Sequence, residues 1–111
     1  MSVDRLYLQH MRDAVLKIEQ YLGGLSFETF ENNTQIVDAV IREVEIIGEA
    51  AKHVSEQFQK EHHEWQWNDM ISMRNRLIHE YFDVDTAAVW DTSKVDLPIL
   101  LQRINDTLEQ S

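Results

Sequence analysis

One apolar stripe constrains this chain more than any other feature in it. Val37, Val40, Val44, Ile47, Ala51, Val54 and Phe58 alternate at spacings of three and four. That period places every one of them on one face of an α-helix and does not fit the two-residue alternation of a strand. The stripe predicts a long helix from about Thr34 to Gln59, with Asn32 or Asn33 offering the N-cap. Gly48 lies beside the stripe, where a missing side chain lets another helix come close. A second, weaker stripe runs through Ile36, Ala39, Ile46 and Ala50. A helix apolar on two sides is covered on two sides. In a chain of 111 residues another copy of the protein is a candidate for the second cover.

The remaining segments follow the same helical period. Leu8, Met11, Val15, Ile18 and Leu22 form one stripe of a first helix, about Asp4 to Leu22. Gly23-Gly24 stops it, because glycine takes the left-handed C′ conformation without penalty. "LSFETFENN" is a connector with room for one helical turn, whose Phe27 and Phe30 can plug the end of the core. "EHHEWQW" breaks the chain before a third helix, about Asn68 to Tyr81, with Asn68 as its N-cap. "FDVD" turns the chain out of it. A fourth helix covers about Thr86 to Lys94. Asp96 then caps a last one containing Leu97, Leu100, Leu101, Ile104 and Leu108, with Pro98 in its first turn, where a missing N–H costs nothing. There are three glycines, one proline, no repeat and no low-complexity linker. The expectation is an all-α fold: a compact four- to five-helix bundle forming a single domain over residues 1–111.

Composition removes several function classes. Ten Lys and Arg stand against twenty Asp and Glu, a formal net charge of −10. Cations that neutralise phosphates supply most nucleic-acid affinity, so a broad, non-specific DNA or RNA surface is not expected. A small, locally basic pocket remains compatible with this charge, working by positioning rather than by a wide attractive field. There is no cysteine, which excludes thiolate metal sites, thiol redox chemistry and a cysteine nucleophile. No apolar run is long enough for a signal peptide or a membrane span, so the reading is a soluble cytoplasmic protein. His62-His63 lack a third ligand at metal-site spacing. His10 and His53 read as structural or solvated, and Trp65, Trp67 and Trp90 as core or interface plugs. No metal and no cofactor are implied.

The stretch "MRNRLIHEYF", residues 73–82, stands out against that acidic background. On a continuous helix Arg74 falls in the middle of an apolar face formed by Met70, Ile71, Met73, Leu77, Ile78 and Tyr81. A buried guanidinium without a counter-charge is very costly, so Arg74 must meet a carboxylate or open into a cleft. Glu43 and Glu49 on the long helix are the candidate partners. Asn75 and His79 are four apart and share the polar face, where the amide can orient the imidazole. Arg76 and Glu80 read as an ordinary i,i+4 pair. Tyr81 is seven residues beyond Arg74 and nearly superposed on it.

Arg74-Asn75-x-x-x-His79 resembles the signature of the HEPN superfamily of all-helical ribonucleases and nucleotide-binding domains. With Tyr81 added, it resembles the HepT-like ribonuclease toxins, which are encoded beside a MntA-like minimal nucleotidyltransferase antitoxin. "VIREVEIIGEAAKHV" is similar to their second helix, "WNDMISMRNRLIHEYFDVD" to their active-site helix and following turn, and "VW" with "DLPILLQRI" to their tail. The resemblance implies a metal-independent endoribonuclease acting as a homodimer on RNA. Arg74 and His79 would be its catalytic pair, Asn75 a polar helper, and Tyr81 the residue that the nucleotidyltransferase modifies with AMP. Glu80 is acidic where some relatives carry glycine. Two other readings use the same residues. One is a non-catalytic helical module that binds a nucleotide or a nucleotidyltransferase. The other is a structural dimerisation domain in which Arg74 merely pairs with Glu43.

Overall fold

The computed structural model describes residues 2–78 and 83–110. Helix α1 spans Ser2–Leu22, α2 Phe27–Glu31, α3 Thr34–His53, α4 Glu56–Glu61, α5 Trp67–Ile71, α6 Met73–Leu77, α7 Thr86–Asp91 and α8 Leu97–Gln110. The fold is all-α. Among the described residues there is no strand, and Ile78 and Val84 form an isolated antiparallel bridge. Among the described residues, no helix is long and apolar enough to cross a membrane.

The predicted stripes are the core. Leu8, Met11, Val15, Ile18 and Leu22 of α1 are buried against Val37, Val40, Val44, Ile47 and Ala51 of α3 and against Ile104 and Leu108 of α8. Each such side chain contributes about 1.5–3 kcal/mol when fully withdrawn from water. Helix ends follow the capping residues. Gly23 takes a positive φ of 47° after α1. The Ser26 hydroxyl accepts from the Thr29 N–H at 3.1 Å to start α2, and Asn33 Oδ1 accepts from the Ile36 N–H at 3.1 Å to start α3. Phe30 is fully buried, and Trp90 packs on both Phe27 and Phe30.

The long helix is shorter than its stripe predicts. α3 ends at His53, because Val54 is extended (φ −68°, ψ 141°) and Ser55 caps α4 by accepting from the Phe58 N–H. Asp4 makes that corner. Its carboxylate, nearly buried in the first turn of α1, accepts from the Ser55 N–H at 2.8 Å and from the Ser55 hydroxyl at 2.7 Å. Val54 and Phe58 still reach the core, so the stripe continues while the backbone turns beneath it.

Two further boundaries differ from the sequence reading. Gln66, in the left-handed region (φ 58°, ψ 61°), precedes α5, so this helix begins at Trp67 and is not capped by Asn68. The fourth and last predicted helices are not separated at Asp96. α7 runs into α8 through a π-helical turn, Thr92–Asp96, in which the Leu97 N–H reaches the Thr92 carbonyl. The widened turn lies immediately before Pro98, whose ring would crowd the carbonyl four residues back in a regular helix and which has no N–H to give it. Thr92 and Ser93 are buried there, and the Ser93 hydroxyl donates to the Val89 carbonyl at 2.8 Å.

Gly48 sets the distance between α3 and the segment that carries Arg74. A Cβ at this position would lie 3.2 Å from the carbonyl oxygens of both Met70 and Ile71. Those are backbone atoms at the end of α5, and they cannot rotate away. Gly48→Val is therefore expected to destabilise the protein by about 1–3 kcal/mol through overpacking. A lowered urea midpoint at unchanged slope would report it.

Candidate active site

α5 and α6 are separated by a bend at Ser72, which has φ −98° and ψ 9°. The Ser72 hydroxyl also bonds the Asn68 carbonyl at 2.7 Å, a local bond that competes with regular helix. The predicted single helix from Asn68 to Tyr81 is thus two short ones, and the second stops at Leu77. Ile78 is extended (φ −121°, ψ 111°) and pairs with Val84, while the Asp85 N–H reaches the Leu77 carbonyl at 2.8 Å. Both ends of the stretch that carries the rest of the motif are therefore tied together. His79, Glu80 and Tyr81 lie outside the described residues, so the Arg76–Glu80 pair and the AMP acceptor lie outside them too.

Ile71 and Ile78 are only partly buried, so the buried face is narrower than the apolar one. Met70, Met73 and Leu77 are buried, as a single wheel predicts, but Arg74 is not in the middle of their face. It emerges at the edge turned toward α3, with its side chain 48% exposed. Its Nε donates to Oε2 of Glu45 at 2.8 Å. The carboxylate partner is therefore neither Glu43 nor Glu49. Residues 43 and 45 project to opposite flanks of α3, about 200° apart at ~100° per residue, and α6 lies on the Glu45 flank, beside Val44 and Gly48. Glu43 is buried on the other flank. Glu49 faces Lys52 at 3.6 Å and His53 at 3.7 Å.

Arg74 and Asn75 line one side of an open groove of about 410 Å³. Glu45, Glu49 and Lys52 line the other, over a floor of Val44, Gly48 and Ile71. Asn75 is exposed, and its backbone N–H is engaged on the Ser72 carbonyl at 3.0 Å. Arg76 turns to the other side of α6. There its Nη2 meets the Asp69 carbonyl at 3.4 Å in a separate groove shared with Arg103. The remaining histidines are structural or solvated. His62 stacks on Phe58 at 4.0 Å with its Nδ1 against the Phe58 carbonyl, and His53 stacks on Tyr7. Trp65 and Trp67 are buried and stacked on each other.

Sequence reasoning missed Glu45. The signal was present: Glu45 directly follows Val44 on the side of the stripe occupied by Gly48. If that flank is the docking face for the motif helix, Glu45 is the first carboxylate Arg74 can reach.

An all-helical fold with an arginine-led motif at a surface groove defines a recognisable class. The family profile described as Ribonuclease HepT-like matches residues 11–107. A protein of Caldanaerobacter subterraneus subsp. tengcongensis, provisionally named an RNase, is 33% identical over 99% of this chain and 98% of its own. One of Thermococcus cleftensis, provisionally named ribonuclease HepT, is 42% identical over 85% of this chain and 86% of its own. One of Methanocaldococcus jannaschii, also provisionally named an RNase, is 30% identical over 90% of this chain and 92% of its own. No solved structure matches the chain significantly. The chain belongs to the HepT-like ribonuclease family. The ribonuclease class expected from the motif holds at that level.

The exposure of Arg74 makes a stability prediction that separates the readings. A buried Arg74–carboxylate pair would cost several kcal/mol to break. The observed pair is close to half exposed on both sides, and such pairs contribute about 0.2–1 kcal/mol. Arg74→Ala is expected to lower stability by no more than about 1 kcal/mol, measured by urea unfolding.

Proposed function

We propose that the chain is a metal-independent endoribonuclease, the toxin of a toxin–antitoxin pair, in which residues 1–111 act as one helical domain. The observation that carries this reading is the Arg74-Asn75-x-x-x-His79-x-Tyr81 motif in a chain matched by the ribonuclease family over residues 11–107. Cleavage requires three things. A base takes the proton of the ribose 2′-hydroxyl as it attacks the adjacent phosphorus. An acid gives a proton to the departing 5′-oxygen. Positive charge stabilises the phosphorane between them. Histidine titrates near neutrality and serves as base or acid. Arginine grips two nonbridging oxygens at once and stabilises the charge that develops on them. Asn75, one residue beyond Arg74 and lining the same groove, is the polar helper.

Each chain supplies one motif histidine, and a symmetric homodimer would bring two, one for each proton transfer. The second stripe of α3 supports that arrangement, because Ile36, Ala39 and Ile46 remain half-buried within a single chain, although Ala50, its fourth member, is already buried there. Restraint comes from a MntA-like nucleotidyltransferase that attaches AMP to Tyr81. The added phosphate and nucleotide would exclude RNA by bulk and by like charge. The net charge of −10 favours one alternative, a helical module that binds a nucleotide or the nucleotidyltransferase without cutting RNA.

Two experiments test these statements. His79→Ala is expected to lower RNA cleavage by purified protein roughly 10²–10⁴-fold while its helical circular dichroism is unchanged; cleavage at the parental rate would refute the catalytic pair. Incubation with ATP and the nucleotidyltransferase should raise the intact mass by one or more AMP units, and Tyr81→Phe should show no gain. A mass gain that persists in Tyr81→Phe would remove the AMP switch from Tyr81.

A further inference from the structure

Arg74 is held from one side. A guanidinium has two edges that can each present a pair of N–H groups, one formed by Nε with an Nη and one by the two Nη groups end-on. Glu45 takes the Nε edge at 2.8 Å. Among the described residues, no carboxylate lies on the Nη edge, and about half of the side chain is open to the groove. The two partners differ in how firmly their backbones are set. Glu45 stands on α3, a helix of 20 residues locked against α5 by the contact at Gly48. Arg74 stands on a helix of five residues between a bend and an extended residue, which by itself does little to fix a long, rotamer-rich side chain.

We propose that Glu45 is a positioning residue for RNA cleavage: by fixing the Nε edge of Arg74 it aims the Nη edge at the RNA phosphate. The inference rests on the reading of Arg74 as the phosphate-binding arginine. Stability alone gives the pair little purpose, since an ion pair this exposed adds at most about 1 kcal/mol. A carboxylate beside a phosphate seat also repels the substrate. Its compensating effect is on geometry, where a displacement of about 1 Å costs on the order of a hundredfold in rate.

The test compares kcat and KM on one RNA oligonucleotide. Glu45→Ala should lower kcat roughly ten- to hundredfold with a smaller change in KM. Glu45→Gln keeps an acceptor oxygen for Nε and should fall between Glu45→Ala and the parent. Glu28→Gln makes the same charge change at an exposed position on α2, outside the groove, and its kcat should stay at the parental value. In an Arg74→Lys background, which has no guanidinium to aim, Glu45→Ala should add nothing further. By ¹⁵N NMR, the Nε–H of Arg74 should be shielded from solvent exchange in the parent and unshielded in Glu45→Ala. Unchanged kcat in Glu45→Ala, an equal effect from Glu28→Gln, or an undiminished effect in Arg74→Lys would each overturn the proposal. Arg74→Ala, assayed alongside, separates the two levels. If it cleaves normally, the reading of Arg74 fails and the proposal with it; if it is inactive while Glu45→Ala is not, only the positioning role fails.

Discussion

Everything near the motif depends on how closely two backbones meet at Gly48. The carbonyls of Met70 and Ile71 lie 3.2 Å from where a Cβ at residue 48 would sit, a tight contact with backbone atoms. That contact brings the end of α5 down onto α3, and the bend at Ser72 then carries α6 along the flank that bears Glu45. A side chain at residue 48 would press on those carbonyls, and the end of α5 would have to give by a few tenths of an ångström. A packing constraint at an uncharged residue thus decides which charges can meet.

The electrostatics of the groove follow from that placement. Arg74 meets its counter-charge at the surface, so its guanidinium avoids the desolvation penalty of a buried ion and, among the described residues, keeps one edge available. Lys52 adds a second cation to the same groove, though Glu49 already faces it. The groove is locally mixed in sign while the chain as a whole is strongly acidic. Long-range attraction for RNA is therefore weak. If Arg74 seats the RNA phosphate, as proposed, a residue that orients it matters more than one that adds charge.

The periodic stripes were legible because apolar spacing records which side chains must leave water. The glycine stop after α1, the Asn33 cap and the plug formed by Phe27 and Phe30 were legible for similarly local reasons. The errors have both distant and local causes. The end of α3 at His53 depends on the Asp4 carboxylate, which lies 51 residues from Ser55 in sequence. The run from α7 into α8 depends on a widened turn ahead of Pro98, where a cap and a break were expected. The wheel that placed Arg74 among apolar residues counted Ile71 and Ile78 with the buried face, but both are only partly buried and Arg74 lies at its edge.

By itself the sequence determined the all-α class, the faces of the helices that form the core, and the family to which the chain belongs. Those follow from residue spacing and from a motif read in one dimension. Only the tertiary structure decided that Arg74 emerges at an edge and that Glu45, not Glu43 or Glu49, meets it. The reason is that helical period fixes the direction of a side chain relative to its own axis. The partner it reaches depends on how the next helix docks, and here a missing Cβ at Gly48 and a bend at Ser72 set that docking.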